Sequence, residues 1–195
     1  MLTKKQQIIK RVFDFIVSLL AILITIVPLM LLIFIATIST RQFGLFVQKR
    51  IGKKGNPFSC YKIRTLKGKL HQNINEIVSN ETKFGRWLRK SKLDELPQLF
   101  NVLLGSMSLV GPRPDIPGYA DKLTGEDRII LSIRPGVTGP ATIKYKNEDE
   151  LLVQKIDPNT YNNQVIWPDK VKINKEYIKN WTMLKDVHYL WVSLL

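Results

Sequence analysis

The strongest constraint on the fold of this chain is a stretch of 24 residues, 15–38, that contains no charged side chain. At a rise of about 1.5 Å per residue, a helix of this length reaches about 36 Å, enough to cross the roughly 30 Å hydrocarbon core of a bilayer. The stretch is too long for the apolar part of a signal peptide, which has about 7 to 15 residues. A membrane helix is therefore expected near the start of the chain.

Two features favour a re-entrant helix over a straight span. Pro28 lies within the apolar stretch, where it removes a backbone donor and clashes with the preceding turn. Basic residues lie on both sides of the stretch, and the positive-inside rule keeps both flanks in the cytoplasm. We expect residues 1–40 to form a membrane anchor, broken near Pro28, that enters and leaves by the cytoplasmic leaflet of a membrane. A straight transmembrane helix is the alternative.

The net positive charge of the chain restricts the classes of partner that it is expected to bind. Thirty Lys and Arg against sixteen Asp and Glu give a net charge of +14, and no acidic residue occurs between positions 15 and 75. Such a charge suits anionic lipid, phosphorylated substrates or nucleic acid. The basic residues after the apolar stretch lie where anionic phospholipid headgroups attract them, at about 1 kcal/mol each. No nucleic-acid-binding motif is recognised, so we expect no nucleic acid partner.

The remainder of the chain predicts an α+β fold that is mostly helical. Residues 45–47 and 58–63 flank a glycine-bearing turn, which predicts a short β-hairpin. Residues 93–104 and 169–195 carry apolar side chains at helical spacing. The Trp, Tyr and Lys residues of the last segment suit either core packing, which we favour, or an interfacial helix. Residues 41–195 are thus expected to form one small globular domain.

Two adjacent carboxylates, Asp94 and Glu95, lie at the start of the predicted helix 93–104. The positive end of the helix dipole and the neighbouring Lys92 predict a lowered pKa for both, so that both are ionised at neutral pH. Ionised carboxylates are the ligands that Mg²⁺ prefers, and they can also attack phosphorus to form an acyl phosphate. Helix capping is the common structural role of such a pair, so by itself the pair leaves these roles open.

Two arginines lie in turns rich in proline and glycine. Arg113 is flanked by Pro112 and Pro114, and Arg134 precedes Pro135. Rigid turns of this kind present guanidinium groups in a fixed position, which suits bidentate phosphate binding. Together with the carboxylate pair, these arginines favour chemistry on a phosphorylated substrate.

Three stretches taken together, at positions 49–65, 93–114 and 134–139, resemble the bacterial sugar transferases, specifically the small monotopic polyprenyl-phosphate phosphoglycosyl transferases. The resemblance covers nearly the whole chain. It implies transfer of a phosphosugar from a UDP-sugar to undecaprenyl phosphate, with release of UMP and a requirement for Mg²⁺. It further implies the first membrane step of cell-surface polysaccharide biosynthesis, with residues 41–195 as a catalytic domain that faces the cytoplasm.

The resemblance also implies roles for individual residues. Asp94 is the expected nucleophile that forms an aspartyl-phosphosugar intermediate, and Glu95 is expected to hold the metal or to assist attack by the lipid phosphate. Both carboxylates are the candidate magnesium ligands. The candidate substrate-binding residues are the cations Lys62, Arg64, Arg113 and Arg134.

Two other functions remain open at this point. A membrane-tethered basic protein that binds anionic lipid or nucleic acid without catalysis would explain the net positive charge. It would not explain the carboxylate pair. A glycosyltransferase that moves only the sugar would release UDP instead of UMP. Neither the sugar nor the oligomeric state can be read from these motifs, because specificity depends on the shape of the pocket.

Overall fold

The computed structural model describes residues 2–68, 76 and 79–194, and it confirms the predicted α+β, mostly helical fold. The helices are α1 (Lys4–Thr40), α2 (Lys83–Lys90), α3 (Gln98–Leu104), α4 (Pro140–Lys144), α5 (Glu148–Val153), α6 (Pro158–Tyr161), α7 (Trp167–Lys179) and α8 (Met183–Leu194). The strands are β1 (Leu45–Ile51), β2 (Pro57–Ile63), β3 (Ser108–Val110) and β4 (Gly136–Thr138). Tighter 3₁₀ segments cover Lys53–Gly55, Leu93–Glu95, Ala120–Lys122 and Gly125–Ser132, and a π-helical turn covers Asn162–Ile166.

Helix α1 continues through Pro28 without interruption, so the expected break in the helix is wrong. The helix begins with a capping box between Thr3 and Gln6, and it ends at Arg41, whose φ of 57° is left-handed. Pro28 lies on the exposed side of α1, while Ile22 and Leu29 on either side of it are buried against the rest of the chain. Packing on both sides of the proline offsets the loss of one backbone hydrogen bond. Re-entry into one leaflet stays a prediction.

The two faces of α1 differ in their surroundings. One face is buried along the length of the helix, at Lys10, Asp14, Ser18, Ile22, Leu29, Ala36 and Thr40. The opposite face exposes large apolar side chains, among them Leu20, Ile24, Val27, Leu31 and Phe34. Among the described residues, α1 is the helix that is long and apolar enough to cross a membrane, with a mean hydropathy of 3.1 in its most apolar window. The helix therefore lies on the globular domain with one face and offers an apolar face to lipid with the other.

The predicted β-hairpin is confirmed. Strands β1 and β2 pair antiparallel, with Leu45 opposite Ile63 and Ile51 opposite Pro57. A second, parallel pair joins β3 and β4, with Ser108 opposite Gly136. The sequence did not predict this pair, since each strand has only three residues. A Cβ at position 136 would collide with the backbone of Gly111, so the glycine allows the two proline-rich turns to pack together.

A buried polar network fastens α1 to the C-terminal helices. Asp186 on α8 is 0% exposed and accepts hydrogen bonds from Lys10 Nζ at 2.5 Å, Tyr177 OH at 2.6 Å and Trp181 Nε1 at 3.0 Å. Tyr177 and Trp181 belong to the main hydrophobic core, which confirms core packing for this part of the predicted segment 169–195. The membrane helix is thus held by a buried ion pair as well as by apolar contacts.

Candidate functional site

The carboxylate pair lies in the 3₁₀ turn Leu93–Glu95, immediately before α3. The predicted single helix 93–104 is therefore divided into this turn and α3, with Pro97 as the N-cap of α3. Asp94 is 8% exposed and Glu95 is 9% exposed. Both carboxylates are consequently removed from bulk water, which sequence reasoning did not anticipate.

Glu95 is clamped by two cations from distant parts of the chain. Its Oε1 atom accepts from Lys62 Nζ at 2.8 Å and from Arg113 Nη2 at 2.5 Å, and its Oε2 atom lies 3.4 Å from Arg113 Nη1. Burial alone would raise the pKa of Glu95, but the charges of Arg113 and Lys62 outweigh it and hold that pKa well below its ordinary value. Glu95 therefore stays ionised, as the sequence predicted.

Asp94 differs from its neighbour. No hydrogen bond or ion pair reaches its carboxylate from any other residue that the structure describes. Burial raises the pKa of Asp94 above its ordinary value, although the positive charge of Lys62 opposes that shift. The predicted lowering of its pKa is wrong in direction, because the sequence argument counted nearby cations and the helix dipole but not desolvation. Two adjacent acids with opposite pKa shifts can take different chemical roles.

Asn101, which sequence reasoning missed, fixes the strand that carries Lys62. Its buried side chain accepts from Tyr61 N at 3.0 Å and donates to the Ser59 carbonyl at 2.7 Å. These bonds join β2 to α3, so they set the position of Lys62 relative to Glu95. The sequence signal that could have found Asn101 is its amide side chain on the apolar face of a short helix. Burying an amide without a hydrogen-bond partner costs free energy, so a partner is expected there.

The other two predicted cations do not join the Glu95 cluster. Arg64 follows the last residue of β2, donates to the Phe43 carbonyl at 2.9 Å and lies over the Phe46 ring at 5.2 Å. Arg134 donates to the Gly105 carbonyl at 2.7 Å, at the end of α3 that is opposite to the carboxylates. The structure therefore brings Lys62 and Arg113 together at Glu95, and phosphate binding by Lys62, Arg64, Arg113 and Arg134 stays a prediction.

A third acid near this cluster, Asp115, was also missed. Burial raises its pKa to about 6, although the charges of Lys170, Arg50 and Arg113 oppose that shift. Asp115 therefore changes its charge close to neutral pH. Its place directly after the Arg113-Pro114 turn was the only sequence signal.

The residues present fit a metal only in part. Within the described ranges, no group of three or more His, Cys, Asp or Glu side chains is arranged to hold an ion. Both oxygens of Glu95 already face cations, so this residue would have to give up Lys62 or Arg113 to bind Mg²⁺. Asp94 has no such competitor and offers a hard oxygen ligand. The predicted site with two carboxylate ligands is therefore not preformed, and Asp94 alone fits.

The raised pKa of Asp94 predicts a pH dependence for any reaction in which its ionised carboxylate is the nucleophile. Since the carboxylate must lose its proton, the acid limb of the rate profile should lie above the ordinary pKa of aspartate. Lys62 lowers the pKa of Asp94, so Lys62→Met should move this limb to higher pH. The measurement is kcat/KM against pH. The matched control is Lys170→Met, because the charge of Lys170 lowers the pKa of Asp115. An unchanged acid limb in Lys62→Met would contradict the role of Asp94 as the nucleophile.

Comparison with known proteins identifies the family. The sequence model of the family described as "Bacterial sugar transferase" matches residues 5–195. The chain belongs to the bacterial sugar transferase family. The resemblance found in the motifs is thereby confirmed, and in this sugar transferase both Asp94 and Glu95 fall inside the family match.

Among the similar bacterial sugar transferases is an "Undecaprenyl-phosphate galactose phosphotransferase" of Salmonella typhimurium, 30% identical over 96% of this chain and 40% of the relative. A "UDP-glucose:undecaprenyl-phosphate glucose-1-phosphate transferase" of Klebsiella pneumoniae is 31% identical over 96% of this chain and 39% of the relative. The "Uncharacterized sugar transferase EpsL" of Bacillus subtilis is 31% identical over 96% of this chain and 86% of the relative. The chain thus spans about two fifths of the Salmonella and Klebsiella proteins and most of the Bacillus protein.

Proposed function

We propose that this chain transfers a sugar phosphate from a UDP-sugar to undecaprenyl phosphate and releases UMP, as the first membrane step of cell-surface glycan synthesis. The observation that carries the proposal is the buried, unpaired carboxylate of Asp94 beside a glutamate that two cations hold. The names of the Salmonella and Klebsiella relatives support the lipid acceptor and the sugar phosphate.

The first half of the proposed reaction uses Asp94 as the nucleophile. One of its carboxylate oxygens attacks the phosphorus that bears the sugar. The bond between that phosphorus and the bridging oxygen breaks, and its electron pair leaves with UMP. The product is an aspartyl-phosphosugar, which divides a difficult displacement into two easier steps. In the second half, an oxygen of undecaprenyl phosphate attacks the same phosphorus and restores the free carboxylate.

Glu95 serves this mechanism by holding Lys62 and Arg113. Because its pKa is depressed, it is a poor proton acceptor at neutral pH. The attacking lipid phosphate needs no base, since phosphate monoesters are largely ionised at pH 7. The positive charges of Lys62 and Arg113 act on Asp94. They are therefore placed to stabilise the negative charge that develops on the transferred phosphate. Glu95 is therefore a positioning residue in this proposal.

Mg²⁺ is part of the proposal, and Asp94 would hold it together with the donor diphosphate. When bound, the ion would supply positive charge that neutralises the donor diphosphate. The Asp94 carboxylate has two oxygens, so this role would leave one oxygen for the attack on phosphorus. Lys62 and Arg113 would hold their contacts with Glu95 throughout.

The proposed location is the cytoplasmic face of a bacterial inner membrane, with residues 1–40 as the anchor and 41–195 as the catalytic domain. The outward apolar face of α1 supports the anchor. The buried face of α1 supports a helix that lies against the catalytic domain, since it is packed from Lys10 to Thr40.

The test is to incubate the purified protein in lipid nanodiscs with undecaprenyl phosphate, Mg²⁺ and a panel of UDP-sugars. We expect UMP and a lipid diphosphate sugar with at least one donor. Release of UDP would instead indicate a glycosyltransferase. No nucleotide release, combined with strongly salt-dependent binding of anionic ligands, would indicate the binding protein that the charge of the chain also allows.

A further inference from the structure

A second group of cations lies at the C-terminal end of α3, away from the carboxylates. Arg11 on α1 donates to the Val102 carbonyl at 2.6 Å and to the Leu103 carbonyl at 2.7 Å. Arg134 donates to the Gly105 carbonyl at 2.7 Å. Both guanidinium groups therefore bind backbone carbonyls at the same helix end, and both side chains are partly buried.

Lysines from a third element complete the group, which we call the α3-end cluster: Arg11, Lys53, Lys54 and Arg134. Lys53 Nζ donates to Gln7 Oε1 at 3.1 Å, one turn before Arg11 on α1. Burial and the charges of Arg134 and Lys54 lower the pKa of Lys53. Burial and the charge of Arg11 likewise lower the pKa of Arg134. These like charges are close enough to act on one another.

The hydrogen-bond partners of the cluster are all neutral. Arg11, Lys53 and Arg134 are bonded to backbone carbonyls and to an amide, and within residues 2–68, 76 and 79–194 none of them forms an ion pair. The acid with an electrostatic effect on Arg134 is Asp14, whose carboxylate is occupied by the Leu109 backbone N–H at 3.0 Å. Four cations against this one acid leave an excess of positive charge at the end of α3, which favours binding of an anion.

The surroundings indicate which kind of anion. Leu104, in the same helix end, is 74% exposed. On α1, the large apolar side chains of Ile8 and Val12 are exposed on either side of Arg11 in the sequence. A small hydrophilic anion would gain no contact energy from these apolar side chains. A phospholipid presents a phosphate to the cations and acyl chains to the apolar side chains.

We propose that the α3-end cluster binds the phosphate headgroup of an anionic phospholipid of the phosphatidylglycerol type, with the acyl chains against Leu104 and the exposed face of α1. This site lies at the end of α3 opposite to Asp94, so it is separate from the site of the proposed reaction. It gives Arg134 a role at the membrane surface. The proposal rests on the membrane association of α1 and does not depend on catalysis.

The test is native mass spectrometry of the delipidated protein in detergent, titrated with dioctanoyl phosphatidylglycerol and with dioctanoyl phosphatidylcholine. The wild type should prefer the anionic lipid. Lys53→Gln combined with Arg134→Gln should weaken binding of phosphatidylglycerol about 30-fold, the effect of two basic residues near an anionic lipid surface. Binding of phosphatidylcholine should not change.

Two further variants separate the site from general charge and from folding. Lys122→Gln combined with Lys146→Gln removes the same charge at exposed positions elsewhere and should keep the preference. Lys53→Gln combined with Lys54→Gln leaves the α3 carbonyl contacts intact and should still weaken binding of phosphatidylglycerol. Equal losses in the cluster and control variants would overturn the proposal. So would unchanged lipid binding with a raised KM for undecaprenyl phosphate, which would assign the cluster to the acceptor substrate.

Discussion

Asp94→Asn should reduce sugar-phosphate transfer by at least about 10³-fold, because an amide cannot form the acyl phosphate on which the proposed mechanism depends. The fold should survive, since the Asp94 carboxylate has no hydrogen-bond partner to lose among the described residues. The direct measurement is intact-protein mass spectrometry with the donor alone. Wild-type protein should gain the mass of one sugar phosphate, and the variant should gain none.

A matched control for this experiment is Asp121→Asn. The Asp121 side chain accepts a hydrogen bond from the Gly118 backbone N–H at 2.7 Å in an exposed turn. It should keep both the activity and the adduct. Full activity in Asp94→Asn would remove the nucleophile from the mechanism. Activity loss with a normal adduct would place Asp94 in the second half-reaction only.

Asp186→Ala should destabilise the protein by about 3–5 kcal/mol, the cost of breaking a buried ion pair by removing one partner. The change leaves Lys10 buried without its counter-charge, removes the acceptor of Trp181 Nε1, and leaves Tyr177 OH with the Val110 carbonyl at 3.4 Å. Such a loss is a large part of the 5–15 kcal/mol that typically stabilises a domain. The measurement is the unfolding midpoint in detergent, supported by proteolysis of the junction between α1 and the globular domain.

Two comparisons make this result specific. Asp157→Ala removes an exposed N-cap and should cost only about 0.5–2 kcal/mol. Lys10→Met combined with Asp186→Leu removes both charges and should recover much of the lost stability, because no charge is left unpaired. If Asp186→Ala unfolds at the same temperature as the wild type, the network does not fasten α1 to α8.

The sequence by itself determined the features that depend on local pattern. The uncharged stretch 15–38 required a long apolar helix, and the glycine-bearing turn after β1 required a hairpin. The two acids alone could have been a helix cap, but together with the guanidinium of Arg113 in a rigid turn they could be selected as a candidate phosphate site. Family motifs then reinforced the same residues.

Only the tertiary structure decided how these residues are used. Lys62 reaches Glu95 across 33 positions, and Lys10 reaches Asp186 across 176 positions. Burial raises the pKa of Asp94, whereas the contacts with Arg113 and Lys62 lower the pKa of Glu95, so two adjacent acids that the sequence treated alike differ. Packing on both sides of Pro28 keeps α1 helical. Arg134 binds the C-terminal end of α3, which is opposite to the carboxylates. The physical reason is that desolvation and long-range contact are properties of the packed chain, whereas spacing and composition report only on near neighbours.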